Sequence, residues 1–160
     1  MKYKPLPTQE RLKELFEYDE EQGVLVWKVG RGRAQAGSVA GFTKRNSRVS
    51  IRVDRGDYEA HRLIWMLHYG EDPGDTMIDH KDENPSNNHI ENLRLATHGQ
   101  NVVNSSKIKG YYLNKVLGKF VAQITINSKQ TYLGLFRTEA EARDAYVEKA
   151  REVYGEFCPV

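Results

Sequence analysis

The side chains best suited to chemistry cluster in one segment, IDHKDENPSNNHIENLRLATHGQN at residues 78–101. Asp79 and His80 are adjacent in it, and Asn92 and Asn101 follow later in the same segment. A carboxylate, an imidazole and amide oxygens together can bind a divalent cation and accept a proton from water. So many polar groups are hard to bury and exceed what a loop needs, so the segment indicates a functional site.

These groups suit the metal-assisted hydrolysis of a phosphodiester. Asp79 and the amide oxygen of Asn101 can hold a cation that contacts the scissile phosphate and neutralises charge on the leaving oxygen. His80 can take a proton from the attacking water, because an imidazole titrates close to neutral pH. Oxygen ligands favour Mg²⁺ or Mn²⁺ over zinc, so we expect one such ion in each active site.

A hairpin and a helix are expected to position these groups. TMIDH predicts a short strand, KDENPSNN a turn-rich loop, HIENLRL a returning strand or extended segment, and THGQNVVNSS a helix capped by Thr97. Such an order would bring Asp79 and His80 to face Asn101, with Asn92 on the loop side between them.

Other polar residues of this region have simpler explanations. An alternative for the whole cluster is that its Asp and Asn side chains only build Asx turns around a sharp loop, the role expected of Asn84, Ser86 and Asn87. His61 and His68 lie on a predicted helix two turns, roughly 10 Å, apart, which is too far for one metal and favours structural roles. Two further histidines are expected at the surface or in loops: His89 and His98.

Composition excludes several classes of protein. With 39% hydrophobic and 29% charged residues, the chain has the composition of a folded soluble protein rather than a disordered one. Its one cysteine, Cys158, excludes an internal disulfide and a Cys-rich zinc cluster. No apolar run approaches the roughly 20 residues that span a bilayer, and the first residues lack the apolar core of a signal peptide. A cytoplasmic protein without a membrane partner is expected.

The distribution of charge is more informative than its net value of +2. Residues 24–53 and residues 92–137 each contain seven basic side chains and no acid, whereas residues 71–91 contain seven acids and only Lys81 as a base. This order suits a chain that binds a polyanion on both sides of a metal-binding centre. Ordinary solvated faces explain it equally well.

Upstream of the polar segment, helices and strands alternate. TQERLKELFEYD predicts a short amphipathic helix that ends near the turn at residues 19–23, and GVLVWKV predicts a strand. SRVSIRVD alternates and would place Arg48, Ser50 and Arg52 on a solvent face where phosphate could reach the arginines, although a solvated edge explains them about as well. DYEAHRLIWMLHYG predicts a helix that stops at Gly70.

The last third predicts a small sheet domain after a linker at residues 105–107. KGYYLNKVLGKFVAQITINSKQTYLGLF is typical of three strands with turns at VLGK and NSK, and a capping box of Thr138 and Glu141 opens the final helix. Alternation places an apolar set toward the helix: Phe120, Ala122, Ile124, Leu133 and Leu135. An acid-free polar set is left on the outer face, where it can contact DNA or water: Lys119, Gln123, Thr125, Gln130 and Tyr132.

The spacing of Asp79-His80, Asn92 and Asn101 resembles the HNH nuclease motif of the ββα-metal fold. The flanking HRLIW and NNHIENLRLAT, and the lead-in LFEYDEEQGVLVWK, look like those of phage and homing HNH endonucleases, so the resemblance covers residues 12–105. It implies that Asp79 and Asn101 are metal ligands, that His80 is the general base, and that Asn92 braces the loop and orients His80. Asn101 stands where the motif has its final His, as in the H-N-N variants of phage homing nucleases.

The last third resembles a second family, the Apetala/ethylene-response-factor type of DNA-binding domain, in KG, GKFVAQI, YLGLF, the Thr-x-x-Glu helix start and YGEF. That family lays its three-stranded sheet in the major groove. The resemblance therefore implies that its reading strands contact DNA through Lys109, Tyr112, Asn114, Gln123, Thr125, Gln130 and Tyr132. Lys119 of the outer face, and Arg48 and Arg52 upstream, complete the expected DNA-contacting set.

Together these features predict an α+β chain with a nuclease domain at residues 1–105, whose ββα-metal core lies at about residues 76–105. A DNA-binding domain is expected at residues 108–160. The expected function is a metal-dependent DNA endonuclease of the homing type that nicks double-stranded DNA without an obligate protein partner. The resemblance to HNH nucleases implies that cleavage leaves 5′-phosphate and 3′-hydroxyl ends. If the enzyme is phage-encoded, it would act in the host cytoplasm. The alternative is a catalytically inactive regulator that binds specific DNA.

Overall fold

The computed structural model describes residues 4–105 and 109–158 of the chain. The chain divides into two units, Met1–Leu95 and Ala96–Val160. Helices and antiparallel strands occur in both, so the α+β class predicted from the sequence is confirmed. No helix among the described residues is long and apolar enough to cross a membrane.

The first unit opens with a short helix and a hairpin. Helix α1 (Gln9–Leu15) is capped by the Thr8 hydroxyl, and strand β1 (Phe16–Asp19) pairs antiparallel with β2 (Val24–Trp27). The helix expected to run on toward the 19–23 turn therefore ends at Leu15. The reason is tertiary, because Phe16 is buried opposite Trp27 in the hairpin.

A three-stranded antiparallel sheet follows, built from β3 (Phe42–Thr43), β4 (Val49–Val53) and β5 (Gly56–Glu59) in that order. Two of its features correct the sequence expectation. The segment from Asp57 to Glu59, expected to be helical, pairs with β4 across a tight turn instead. Ser50, expected on a solvent face, is only 1% exposed.

Helix α2 (Ala60–Tyr69) ends at Gly70, which adopts the left-handed conformation (φ 73°) expected of a helix stop. Strand β6 (Met77–His80) and strand β7 (Leu93–Ala96) then form a two-stranded sheet, with a 3₁₀ turn at Ile90–Asn92 just before β7. Part of the expected returning strand is thus a helical turn.

One hydrophobic core holds the first unit together. It is formed by buried side chains from both helices and from most strands of the unit, among them Leu12, Phe16, Leu25, Ile51, Val53, Leu63, Ile64, Ile78 and Leu93. Burial of such side chains contributes about 1.5–3 kcal/mol each, relative to leaving them exposed. Because Ile78 and Leu93 belong to this core, the polar residues that follow them, Asp79 and Arg94, are fixed in position.

The second unit contains helix α3 (His98–Val103), strands β8 (Tyr111–Asn114), β9 (Lys119–Ile126) and β10 (Lys129–Phe136), and helix α4 (Glu139–Tyr154). The strands form an antiparallel sheet in the order β10-β9-β8, against which α4 packs. The three expected strands and both expected helix caps, at Thr97 and Thr138, are present.

The alternation expected along β10 fails at one point. Leu135, expected on the helix-facing side, is 38% exposed and pairs with Val121. A β-bulge between Tyr132 and Gly134 shifts the register, and a shift of one residue turns the following side chains to the opposite face.

The structural units divide the chain earlier than the expected domains do. Val103 of α3 is buried in the second core together with Ile124, Tyr146 and Ala150, so this helix joins the second unit. The expected linker at residues 105–107 and the start of the expected domain at residue 108 lie outside the described residues, apart from Ser105.

Candidate active site

Asp79 is a buried carboxylate at the end of strand β6. It is 5% exposed, and its Oδ2 accepts a hydrogen bond of 2.9 Å from Nε of Arg94 on β7, which is 9% exposed. A charge buried this deeply is maintained by its partner, because either ion alone would face an uncompensated desolvation cost. The two strands of the hairpin therefore present an anchored anionic oxygen group beside His80.

His80 follows Asp79 and is 6% exposed. Its Nε2 lies 3.0 Å from Oδ1 of Asn88, whose own Nδ2 points to the carbonyl of Ser86 at 3.4 Å. An amide oxygen can only accept a hydrogen bond, so Nε2 carries the proton and donates it. The imidazole nitrogen that keeps its lone pair, and can act as a base, is Nδ1.

The backbone of Asn88 is held by strand β1. The hydroxyl of Tyr18 donates to the Asn88 carbonyl at 3.4 Å and accepts a bond of 3.0 Å from the N–H of Ile90. Burial raises the pKa of Tyr18, so the phenol stays protonated and able to donate. This link fixes the end of the loop relative to the core.

Asn92 ties together the loop between the two strands. Its Nδ2 donates to Oδ1 of Asp82 and to the carbonyl of Asn87, both at 2.9 Å, and its Oδ1 accepts from the N–H of Asp82 at 3.1 Å. The carbonyl of Asn92 also accepts from the N–H of Lys81 at 2.9 Å. These contacts hold the loop closed, and the amide found against Nε2 of His80 is that of Asn88.

Asp82 is the ionic centre of this loop. Partial burial acts to raise the pKa of its carboxyl, but hydrogen bonds from Asn84, Asn87 and Asn92 outweigh that effect and lower it. The Asx turns expected at Asn84 and Asn87 are present, since their side-chain oxygens accept from the N–H groups of Ser86 and His89. The loop is therefore built from amide and carboxylate bonds rather than from apolar contacts.

His61 of helix α2 packs edge-on against the ring of His80, with the ring centres 5.2 Å apart. It is 4% exposed, and burial together with the nearby His80 and Arg48 lowers its pKa well below 6.5. A neutral imidazole therefore supports the candidate base on one side. The sequence placed His61 on a helix with a structural role but did not connect it with His80.

Asn101 lies on α3 in the second unit, half-buried, with its N–H bonded to the carbonyl of Thr97. Among the described residues, no group of three or more His, Cys, Asp or Glu side chains is arranged to hold a metal. The metal ligands expected from the sequence are the carboxylate of Asp79 and the amide oxygen of Asn101. The carboxylate of Asp79 is a hard oxygen donor of the kind that suits a cation whose other ligands include water and phosphate.

Comparison with known proteins identifies the segment that carries these residues. Residues 58–103 match the family model described as HNH endonuclease. The chain contains an HNH endonuclease domain. A protein of Acanthamoeba polyphaga mimivirus, an uncharacterized HNH endonuclease designated L560, is 36% identical over 112 residues, which are 67% of this chain and 59% of that protein. This chain thus matches less than two thirds of its relative's length, and no solved structure matches.

The matched segment includes the site residues described above except Tyr18. His61, Asp79, His80 and Asn92 lie inside the matched segment, as does Asn101. The sequence did not point to Asn88 or Arg94 as partners of His80 and Asp79. The one indication in the sequence was that both residues lie within the dense polar segment at residues 78–101.

The basic stretch at residues 24–53, upstream of the HNH segment, is partly neutralised by ion pairs. Arg31 pairs with Asp54 at 2.9 Å, and Lys44 pairs with Glu59 at 2.7 Å. Asp54 and Glu59 lie just beyond the acid-free stretch. A count of the charges within that stretch therefore overstates the positive potential around it. Of the two arginines expected to contact DNA here, Arg52 is exposed and Arg48 is half-buried.

In the second unit, strand register decides which side chains share the outer face. Tyr112 lies opposite Val121, Gln123 opposite Tyr132, Thr125 opposite Gln130, and Asn114 opposite Lys119. A cavity of about 820 Å³ is lined by several of the residues expected to contact DNA: Lys109, Tyr112, Gln123, Thr125 and Gln130. The family match ends before this sheet, so its resemblance to a DNA-binding domain stays a prediction.

Proposed function

We propose that this chain is a divalent-metal-dependent DNA endonuclease that hydrolyses one phosphodiester bond per active site. The observation that carries the proposal is the pairing of His80 with Asn88 inside an HNH domain, next to the buried carboxylate of Asp79. A buried, oriented imidazole beside an anchored carboxylate is the arrangement that general-base hydrolysis of a phosphodiester requires.

His80 acts as the general base in this proposal. Asn88 fixes the proton on Nε2, so Nδ1 takes a proton from the attacking water. Asn92 keeps the loop closed and thereby holds Asn88 in place, since it bonds to Asp82 and Asn87 on the same loop. Because the folded loop already orients His80, positioning the base costs no further entropy at each turnover.

Asp79 would hold one Mg²⁺ or Mn²⁺ ion. Asp79 fits such a cation, because it is buried, anionic and anchored by Arg94. When bound, the ion would polarise the scissile phosphate and neutralise charge on the leaving oxygen. The carboxylate of Asp79 offers oxygen, which suits magnesium or manganese better than zinc.

The three-stranded sheet of the second unit is proposed to bind double-stranded DNA. Its outer face presents hydrogen-bonding side chains and no acid among the expected contacts, including Gln123, Thr125, Gln130 and Tyr132. Joining two weak binders in one chain makes the second contact intramolecular and strengthens the whole. With one active site per chain, a monomer would nick one strand, as expected of a homing-type enzyme.

Conversion of supercoiled plasmid to open circle tests the proposal. Wild-type protein should nick in Mg²⁺ or Mn²⁺ and not in EDTA, and His80→Ala should lower the rate by about 10² to 10⁴ because the base is removed. His68→Ala is the matched control, since it removes an exposed imidazole from helix α2 of the same unit. DNA binding by all three proteins without any metal-dependent nicking would favour an inactive regulator instead.

A further inference from the structure

A second pocket in the first unit lies outside the hairpin that carries Asp79 and His80. It encloses about 460 Å³, and its lining includes four arginines, with Asp54 as the one acid in the part of the lining that the structure describes. The arginines are Arg31, Arg33, Arg52 and Arg55. Such a density of guanidinium groups in one concave surface favours an anionic ligand, because each group offers several donors in a planar fork.

Asp54 organises this pocket rather than opposing its charge. Its two oxygens accept hydrogen bonds from Arg11 at 2.9 and 3.1 Å and from Arg31 at 2.9 Å. The bonds from Arg11 and Arg31 hold the pKa of Asp54 far below its usual range, so it stays ionised. Because Arg11 lies outside the pocket lining, it offsets the carboxylate and leaves the lining strongly positive.

Donors remain available in the pocket. Among the described residues Arg33, Arg52 and Arg55 enter no ion pair, and all three are exposed. Their guanidinium N–H groups can therefore donate to an oxyanion that enters the pocket.

The backbone around these arginines is fixed before any ligand binds. Arg31 and Ala34 exchange two backbone hydrogen bonds of 2.9 and 3.0 Å, which close a turn around Arg33. Asp54 and Arg55 form the tight turn between β4 and β5, with positive φ values of 44° and 70°. Arg52 projects from the paired strand β4. Preorganised donors lose less entropy on binding than donors on mobile loops.

We propose that this pocket binds a backbone phosphate of duplex DNA, away from the bond that is cut. The inference rests on the proposed function, because it takes the DNA substrate of the HNH domain as the ligand. The exposed ring of Phe42 at the pocket's edge offers an apolar surface for an adjoining sugar. Phosphate contacts position a protein on DNA without reading its sequence, so the pocket would add affinity and register rather than specificity.

Binding of a short fluorescent duplex of arbitrary sequence in EDTA tests the pocket without cleavage. Arg33→Gln/Arg52→Gln should weaken binding by about 10-fold and reduce the slope of log Kd against log salt by about one for each phosphate that is no longer neutralised. The control Lys13→Gln/Lys28→Gln removes two charges from the same unit outside the pocket and should leave the slope nearly unchanged. Thermal melting followed by circular dichroism checks each variant's fold, and the single variants Arg33→Gln and Arg52→Gln replace the double if it melts early.

The possible results distinguish a failure of the phosphate-binding proposal from a failure of the nuclease proposal. Equal losses of affinity in both double variants, or no loss in either, would show that the pocket does not bind DNA phosphate. Neither result would bear on the nuclease proposal, which the nicking assay tests. A wild-type protein that binds DNA through the pocket but never nicks it would contradict the nuclease proposal and support the phosphate-binding proposal. If inorganic phosphate raises the melting temperature through these arginines while DNA binding ignores them, the pocket takes free phosphate and the proposal is wrong.

Discussion

Nε2 of His80 and Oδ1 of Asn88 lie 3.0 Å apart, and both side chains are buried. The bond sets the tautomer of the candidate base and so determines which nitrogen can accept a proton. The sequence contains several asparagines near His80, and only the folded loop decides which of them makes this contact.

Replacing Asn88 should therefore reduce catalysis without removing the base. Asn88→Leu keeps the size of the side chain but removes the acceptor, and the nicking rate at saturating DNA should fall about 10- to 100-fold, the usual cost of removing an orienting partner. Asn88→Asp retains an oxygen at the same place and should recover part of the rate. Nicking by Asn88→Leu at the wild-type rate would show that the bond to His80 has no catalytic role.

The buried ion pair between Asp79 and Arg94 should dominate the stability of the hairpin. Arg94→Ala leaves a buried carboxylate without this partner and should lower the free energy of unfolding by about 3–5 kcal/mol. Adding Asp79→Asn should restore part of the loss, because no net charge is then left behind. Urea unfolding measures both changes, and Arg33→Ala, at an exposed position, should cost less than about 0.5 kcal/mol. A similar loss from both single arginine variants would contradict the prediction.

His61 should make the first unit less stable in mild acid. Burial lowers the pKa of the folded-state imidazole well below 6.5, so the folded protein holds this group neutral while the unfolded chain protonates it near that pH. Protonation therefore favours unfolding as the pH falls below about 6.5, and stability is complete above it. The urea midpoint should drop less between pH 7 and pH 5 in His61→Phe than in wild type. An equal drop in the two proteins would assign the pH dependence to other groups.

Gly110 should be the least replaceable glycine of the second unit. It has a φ of 71°, and an added Cβ would overlap the ring of Tyr146, a buried residue of α4. Gly118→Ala is a matched control, since Gly118 has a φ of 60° and nothing within 4 Å of the added atom. Both variants should lose about 1–2 kcal/mol to the left-handed backbone, and Gly110→Ala about 1–3 kcal/mol more to the overlap. Equal melting temperatures for the two variants would show that Tyr146 moves aside at no cost.

Local patterns in the sequence determined much of this structure. The helix cap at Thr97, the capping box at Thr138, the helix stop at Gly70 and the three strands after residue 110 were all predicted, because each depends on residues close in the chain. The polar segment at residues 78–101 was likewise recognised as a candidate site from its residue types, and the HNH match at residues 58–103 includes all of it.

Contacts between distant residues decided the rest. The helix after Thr8 ends at Leu15 because Phe16 is buried opposite Trp27, and Leu135 turns outward because of a bulge that alternation does not reveal. The partners of the candidate site, Arg94 for Asp79 and His61 for His80, come from other elements. Sequence spacing sets which groups a chain carries, whereas burial and hydrogen bonding in the folded protein set which groups meet and in which protonation state.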